Sequence, residues 1–275
     1  MGNITADKSH LHRWITAVVI LPLLLVAIAV GPGWLLLVLV LLVTTGGLLE
    51  FFALTLGDVD VWLRMVALGM GLLLPLASYR EGVLGLTAAI TVVLFVALSV
   101  HLLIFAMDEA GARALGTVVF AQVYVPFGLS HLLLLLQQPA GRRWVVFALA
   151  VIFSGDTGAY YVGRRWGRHK LLPVVSPGKT IEGAAGGLCS SLALALLLGK
   201  TLFASHGISI GFLLALGFVL ALAGQIGDLG VSMLKRLSKV KDAGGLLPGH
   251  GGLLDRLDSL LFALPATYYG VLFFV

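Results

Sequence analysis

The chain has 275 residues, of which 59% are hydrophobic and only 11% charged, against roughly 45–50% apolar and about 25% charged in soluble domains. That composition excludes an ordinary water-soluble globule and points to a protein built for lipid. The net charge of +5 raises nucleic acid as a partner, but no nucleic-acid motif accompanies the basic residues and none is expected. The one cysteine, Cys189, excludes a disulfide framework or a thiolate metal cluster, and in its apolar stretch it is expected as a small buried filler.

In chain order, apolar stretches of about 20 residues, long enough to cross roughly 30 Å of hydrocarbon, are predicted near residues 14–30, 34–56, 61–79, 83–106, 113–136, 144–162, 181–203, 208–234 and 257–275. They lack the alternation of barrel strands, and lipid tolerates no unpaired backbone groups. The expected fold is therefore all-α, a polytopic transmembrane helical bundle of about nine spans. The first stretch follows Lys8 and Arg13 and ends near Ala27-Ile28-Ala29, which imitates a secretory signal; a second span follows Gly31-Pro32-Gly33 almost at once and favours retention. With a cytoplasmic N-terminus, only Arg80, Arg142, Arg143 and Lys200 of the eighteen Lys and Arg residues fall outside, in keeping with the positive-inside rule. The two polar loops then face the cytoplasm, and a bacterial inner membrane is the expected location.

The chain reads as one membrane domain, with residues 1–140 a scaffold of spans and residues 141–275 the catalytic portion. Glu50, His101 and His131 lie within spans and are expected to be structurally paired in the bundle interior. Gly46-Gly47 and the run Gly183 to Gly187 are expected at close helix contacts. No repeat relates the two halves, which leaves a transporter reading without support.

Chemistry concentrates in two segments. Between Ser232 and Asp258 stand Lys235, Arg236, Lys239 and Lys241, then Pro248-Gly249-His250-Gly251-Gly252, then Asp255, Arg256 and Asp258. Cations suit phosphate oxygens, glycines allow close backbone approach, and carboxylates suit a metal, so this order fits a polyphosphate with its cation. If a helix begins near Leu254, Asp255 and Asp258 share one face of its first turn, where anions are also favoured. Asp228 lies within the preceding span, with Ser232 one turn later on the same face. Each residue has a plainer reading: Lys239 and Lys241 as ordinary loop charges, Asp228 and Asp255 as an intramembrane ion pair, Asp258 as a helix-start carboxylate, His250 as a solvated turn residue.

The second segment places Asp156 within a span and continues through Arg164, Arg168 and Lys170 to Ser176-Pro177-Gly178-Lys179-Thr180-Ile181-Glu182-Gly183. A helix starting near Thr180 would offer an anion site, with Lys179 as a point charge and hydroxyls from Ser176 and Thr180. Gly178-Lys179-Thr180 echoes the end of a P-loop, but the first glycine and the strand are missing.

The run Ser232, Lys235, Arg236, Lys241, Asp242, Gly244, Pro248, His250, Gly251, Gly252, Asp255, Arg256, Asp258 resembles the signature of the phosphatidate cytidylyltransferase family. The segments Asp156 to Tyr160 and Ser176 to Gly183 are similar to that family in order and spacing, so the resemblance covers about residues 144–275. It implies an all-helical, homodimeric membrane enzyme that joins CTP to phosphatidate, giving CDP-diacylglycerol and pyrophosphate. It also implies magnesium, as two divalent ions or as magnesium with potassium. On that basis Asp228, Asp255 and Asp258 are the expected metal ligands, and these acids with Lys235, Arg236 and Lys241 form the expected catalytic set. Ser176, Lys179, Thr180, Ser232, Lys239, His250, Arg256 and Asp156 are the expected substrate contacts. Tyr160 and Tyr161 fit interfacial anchoring or stacking on cytosine. A CTP-dependent transferase acting on an ether-lipid phosphate would carry much the same residues.

Overall fold

The computed structural model describes residues 22–57, 61–104, 109–204, 206–240, 242–245 and 251–275. Residues 22–30 are helical, and Gly31 and Pro32 interrupt the chain before α1, Gly33–Thr55. Pro32 sits at the N-cap in an extended conformation, where its missing N–H costs nothing. The next helix, α2, runs Val61–Ile104 over 44 residues but is broken at Gly82, whose φ of 63° only glycine adopts readily. A straight helix would separate Ala77 and Gly85 by about 12 Å, yet a Cβ on Gly85 would lie 2.9 Å from the carbonyl carbon of Ala77. The chain thus turns sharply at the boundary expected between the third and fourth spans.

Helix α3, Glu109–Gln122, continues through a π-helical segment, Val123–Phe127, into α4, Gly128–Leu136. Pro126 has no N–H to give to the regular ladder, which accounts for the wider turn there. After Ala140 in the left-handed region, α5 spans Gly141–Trp166. Strands β1, Lys170–Leu172, and β2, Ser176–Thr180, form a small antiparallel hairpin, with Lys170 opposite Thr180 and Leu172 opposite Ser176. Three helices complete the chain: α6, Ile181–Leu202, α7, Ile210–Leu237, and α8, Leu254–Phe274.

Among the described residues, seven helices are long and apolar enough to cross a membrane, counting the broken α2 once and α3 to α4 as one rod. The fold is all-α apart from the hairpin, which the sequence reading did not anticipate. Of the first expected span, residues 14–21 lie outside the described residues and residues 22–30 are helical. Large apolar side chains are exposed around the bundle, among them Leu84, Leu103 and Phe273, while Glu50, Gln122, His131, Ser191 and Thr267 are buried. Apolar side chains thus cover the outside of the bundle as well as fill its core, which is what a lipid solvent requires, and this marks the chain as an integral membrane protein.

The histidines pair as expected: His131 Nδ1 donates to the Phe127 carbonyl at 2.8 Å and His101 Nδ1 to the Ala97 carbonyl at 2.8 Å. Cys189 corrects its expectation, because it is exposed on α6. In a bilayer, apolar character does not distinguish a core position from a lipid-facing one.

Helices α5 and α6 approach backbone to backbone. A Cβ on Gly187 would fall 2.8 Å from the Gly155 carbonyl oxygen, and one on Gly158 would fall 2.8 Å from Ser190 Cβ. The Ser190 hydroxyl donates to the Ser154 carbonyl at 3.0 Å, and that of Ser191 to the Val151 carbonyl at 3.0 Å. Small residues permit the close approach and hydroxyls tie it, as in other membrane helix pairs. Gly158→Val is expected to destabilise the protein by about 1–3 kcal/mol through overpacking, read as a lower melting temperature in detergent.

Candidate functional site

Four elements bring the charged residues together. Helix α5 supplies Asp156; β2 supplies Lys179; α7 supplies Asp228, Ser232 and Lys235; α8 supplies Asp255 and Asp258. The glycine-lined contact of α5 with α6 sets the depth of Asp156 beside the start of α6. Thr180 is the N-cap of α6 and its Oγ1 accepts from the Gly183 amide at 3.1 Å, so the helix begins where the sequence placed it. Glu182, in the first turn, accepts from the amides of Arg168 and His169 at 3.1 and 3.2 Å and from His169 Nδ1 at 2.6 Å. It thereby pins the entry to the hairpin that carries Lys179. Thr180→Ala removes the cap and is expected to cost about 1 kcal/mol, measured by thermal unfolding in detergent.

Lys179 Nζ lies 2.7 Å from Asp228 Oδ2, and Ser232 Oγ donates to Asp228 Oδ1 at 3.4 Å. Helix α8 starts at Leu254, which puts Asp255 and Asp258 on its first turns as the spacing required. Asp255 is ion-paired with Lys235, and its Oδ2 accepts from the Ala243 amide at 3.0 Å. Asp258 is buried, its Oδ1 accepting from the Ser259 amide at 2.6 Å. Among the described residues, neither Asp156 nor Asp258 has a salt-bridge partner.

Two adjoining cavities share Asp156 and Asp228. One, of about 350 Å³, is lined by acids and their neighbours: Asp156, Asp228, Lys235, Asp242, Gly251, Asp255, Arg256, Asp258 and Ser259. The other, also about 350 Å³, is lined by apolar and basic groups, including Ala159, Tyr160, Arg164, Leu171, Lys179, Thr180, Ala184 and Gln225. The acid cavity suits a hard cation and its anion; its neighbour suits a phosphate with an apolar or aromatic attachment.

The structure thus gathers Asp156, Lys179, Thr180, Asp228, Lys235, Asp255, Arg256 and Asp258 into one region, with Ser232 against Asp228. It does not bring Ser176, Arg236 or Lys239 to either cavity wall. Arg236 instead donates from Nε to the Val175 carbonyl at 3.2 Å, bracing the hairpin. Lys239 is exposed, with φ of 56°, where the chain leaves α7. Lys241 and His250 lie outside the described residues. Sequence reasoning missed Gln225, on the second cavity's wall, whose Nε2 donates to the Ala184 carbonyl at 3.1 Å. The nearness of Gln225 to Asp228 in the sequence was the only signal. Tyr124 of the π segment is buried with no partner for its hydroxyl among the described residues, but it lines neither cavity.

Among the described residues no three His, Cys, Asp or Glu side chains form a ready-made metal cage. The carboxylate donors nevertheless fit magnesium, which takes one or two protein carboxylates and completes its shell with water and substrate phosphates.

The bundle with its joined acidic and basic cavities defines a polytopic helical membrane protein with a charged site. The family model for the cytidylyltransferase family matches residues 11–274, and the chain belongs to that family. It is similar to proteins named phosphatidate cytidylyltransferase from Staphylococcus saprophyticus, 45% identical over 138 residues, and from Bacillus subtilis, 47% identical over 129 residues. These matches cover 50% and 47% of this chain, and 52% and 47% of the relatives, so the chain spans about half the length of the curated relatives it matches.

Proposed function

We propose that this protein transfers the cytidylyl group of CTP to phosphatidate, giving CDP-diacylglycerol and pyrophosphate in phospholipid synthesis. The observation that carries this reading is the pair of cavities meeting at Asp156 and Asp228, one acidic and one basic and partly apolar. The family and the name carried by the bacterial relatives support the same substrates.

In the reaction, a phosphate oxygen of phosphatidate attacks the α-phosphorus of CTP. A P–O bond forms there as the bond to the β-phosphate bridging oxygen breaks, and pyrophosphate leaves. Both reactants are anions, so neutralisation and in-line positioning are the main task. Phosphatidate is already largely dianionic near pH 7, its second pKa being about 6, which removes the need for a general base.

Asp228, Asp255 and Asp258 would hold magnesium, either as two ions or with potassium beside it. Bound there, the cation polarises phosphoryl oxygens and offsets charge developing on the leaving group. Lys179 and Lys235, now paired with Asp228 and Asp255, exchange a carboxylate for a phosphate oxygen when substrate enters. Thr180, Ser232 and Arg256 add donors, and Asp156 separates the two anion positions. Lys241 and His250 keep their places in the proposal through the family signature, as do Ser176, Arg236 and Lys239.

The proposal extends to a nine-span topology with the N-terminus and the site on the cytoplasmic side of a bacterial inner membrane, and to a homodimer. It keeps residues 141–275 as the catalytic portion. The test is pyrophosphate release by purified protein supplied with CTP, phosphatidate and magnesium. Release should require all three; release from CTP that is indifferent to phosphatidate would contradict the reading.

A further inference from the structure

Helix α8 carries two of the acids in the acid cavity, yet its own N-cap residue, Leu253, gives it no side-chain cap. The first N–H groups of a helix need acceptors, above all when buried. Leu254 is fully buried, and its amide donates to Glu50 Oε2 at 2.8 Å, across 204 residues of sequence. Glu50 is itself buried at 4% exposure in α1. Its other oxygen, Oε1, has no hydrogen-bond partner among the described residues.

The carboxylate also fills space between two loop strands. A Cβ on Gly244 would lie 2.5 Å from Glu50 Oε1, and one on Gly252 would lie 2.9 Å from Oε2. Gly244 is therefore held to glycine by this side chain, and Gly252 by the Gly244 backbone, Ala243 and Glu50 together. Gly244 follows Ala243, whose amide donates to Asp255, and Gly252 precedes the start of α8. One buried carboxylate thus lies against both Gly244 and Gly252, beside the Ala243 amide that meets Asp255 and the start of α8. A second tie runs alongside it, from Ser238 Oγ to the Leu54 carbonyl at 2.6 Å.

We infer that Glu50 is a positioning residue of the site: it caps α8 from the N-terminal helices and fixes Asp255 and Asp258 relative to α7. The inference rests on the proposed transferase reading for its consequence in turnover, but not for the cap. A negative group at this helix end also complements the helix dipole. Burying a carboxylate among apolar spans is costly without such a task.

The test compares Glu50→Leu and Glu50→Gln by hydrogen exchange of the unliganded protein and by steady-state kinetics. Gln keeps an acceptor for the Leu254 amide, whereas Leu matches the size and lacks it. In Glu50→Leu, peptides covering residues 251–258 should exchange on the order of tenfold faster, the size of one lost cap. Its kcat should fall about tenfold to a hundredfold with little change in KM for CTP, as misplacement of reacting groups requires. Glu50→Gln should stay near wild type in both.

Unchanged exchange or unchanged kcat in Glu50→Leu would overturn the assignment. Should that variant not fold, Gly244→Ala, which drives a methyl into the carboxylate, must loosen the same peptides, and unchanged exchange there overturns it equally. A wild-type protein without transferase activity would defeat the functional reading, while the exchange result would still decide the cap.

Discussion

Asp255→Asn is expected to lower magnesium-dependent product formation by about 10²–10³-fold. Asn keeps the shape of Asp255 and can still accept from the Ala243 amide, which the wild type does at 3.0 Å. What it loses is the negative charge that faces Lys235 and would meet the metal. The two side chains are only 17% and 19% exposed, so the variant leaves an ammonium group poorly solvated and without its anion, at a cost of up to about 3 kcal/mol in stability. The double variant Asp255→Asn/Lys235→Met should regain much of that stability, because the orphaned charge is gone. It should not regain activity. Melting temperature and turnover measured on the same preparations separate the two effects. Full magnesium-dependent turnover in Asp255→Asn would show that Asp255 is not a metal ligand.

Lys179→Met should reduce kcat/KM by about a hundredfold and change stability little. Lys179 lines the basic cavity 2.7 Å from Asp228, which both cavities share, and in the proposed reaction it neutralises a phosphate there. The pair is 25% and 39% exposed, so its net contribution to folding is small, about 0–1 kcal/mol. Lys179→Arg restores charge but replaces a compact ammonium with a planar fork, and recovery should be partial. A methionine variant with wild-type kcat/KM would remove Lys179 from the site.

Much of this arrangement could be read from the sequence. Hydropathy marked the boundaries near Gly31, Gly82 and Leu254 because glycine, proline and charge interrupt apolar runs there. Asp255 and Asp258 could be placed on one helix face on the condition that a helix begins near Leu254, and α8 does begin there. The run Gly183 to Gly187 announced a close helix contact, and α5 provides it.

Other features had no local signal. The hairpin at 170–180 contains Pro177 and Gly178 and lacks the alternation that marks a strand. It forms because α5 and α6 must be joined across a tight contact and because Glu182 and Arg236 hold its ends. Glu50 read as a lone acid in a span, since its partner lies 204 residues away. Arg236 was grouped with the phosphate ligands on charge and on the family signature, and its hydrogen bond to the Val175 carbonyl had no signal in the sequence. The two halves are also less separate than expected: the first supplies the cap for the helix that bears the acids.

The fate of the α-phosphate of CTP tests the proposed chemistry most directly. Purified protein in lipid, given phosphatidate and magnesium, should move label from the α-position of CTP into the organic extract, and label from the γ-position into pyrophosphate. Removing magnesium should stop both. Label from the γ-position in the lipid fraction, or no α-label there with all components present, would contradict cytidylyl transfer by this protein.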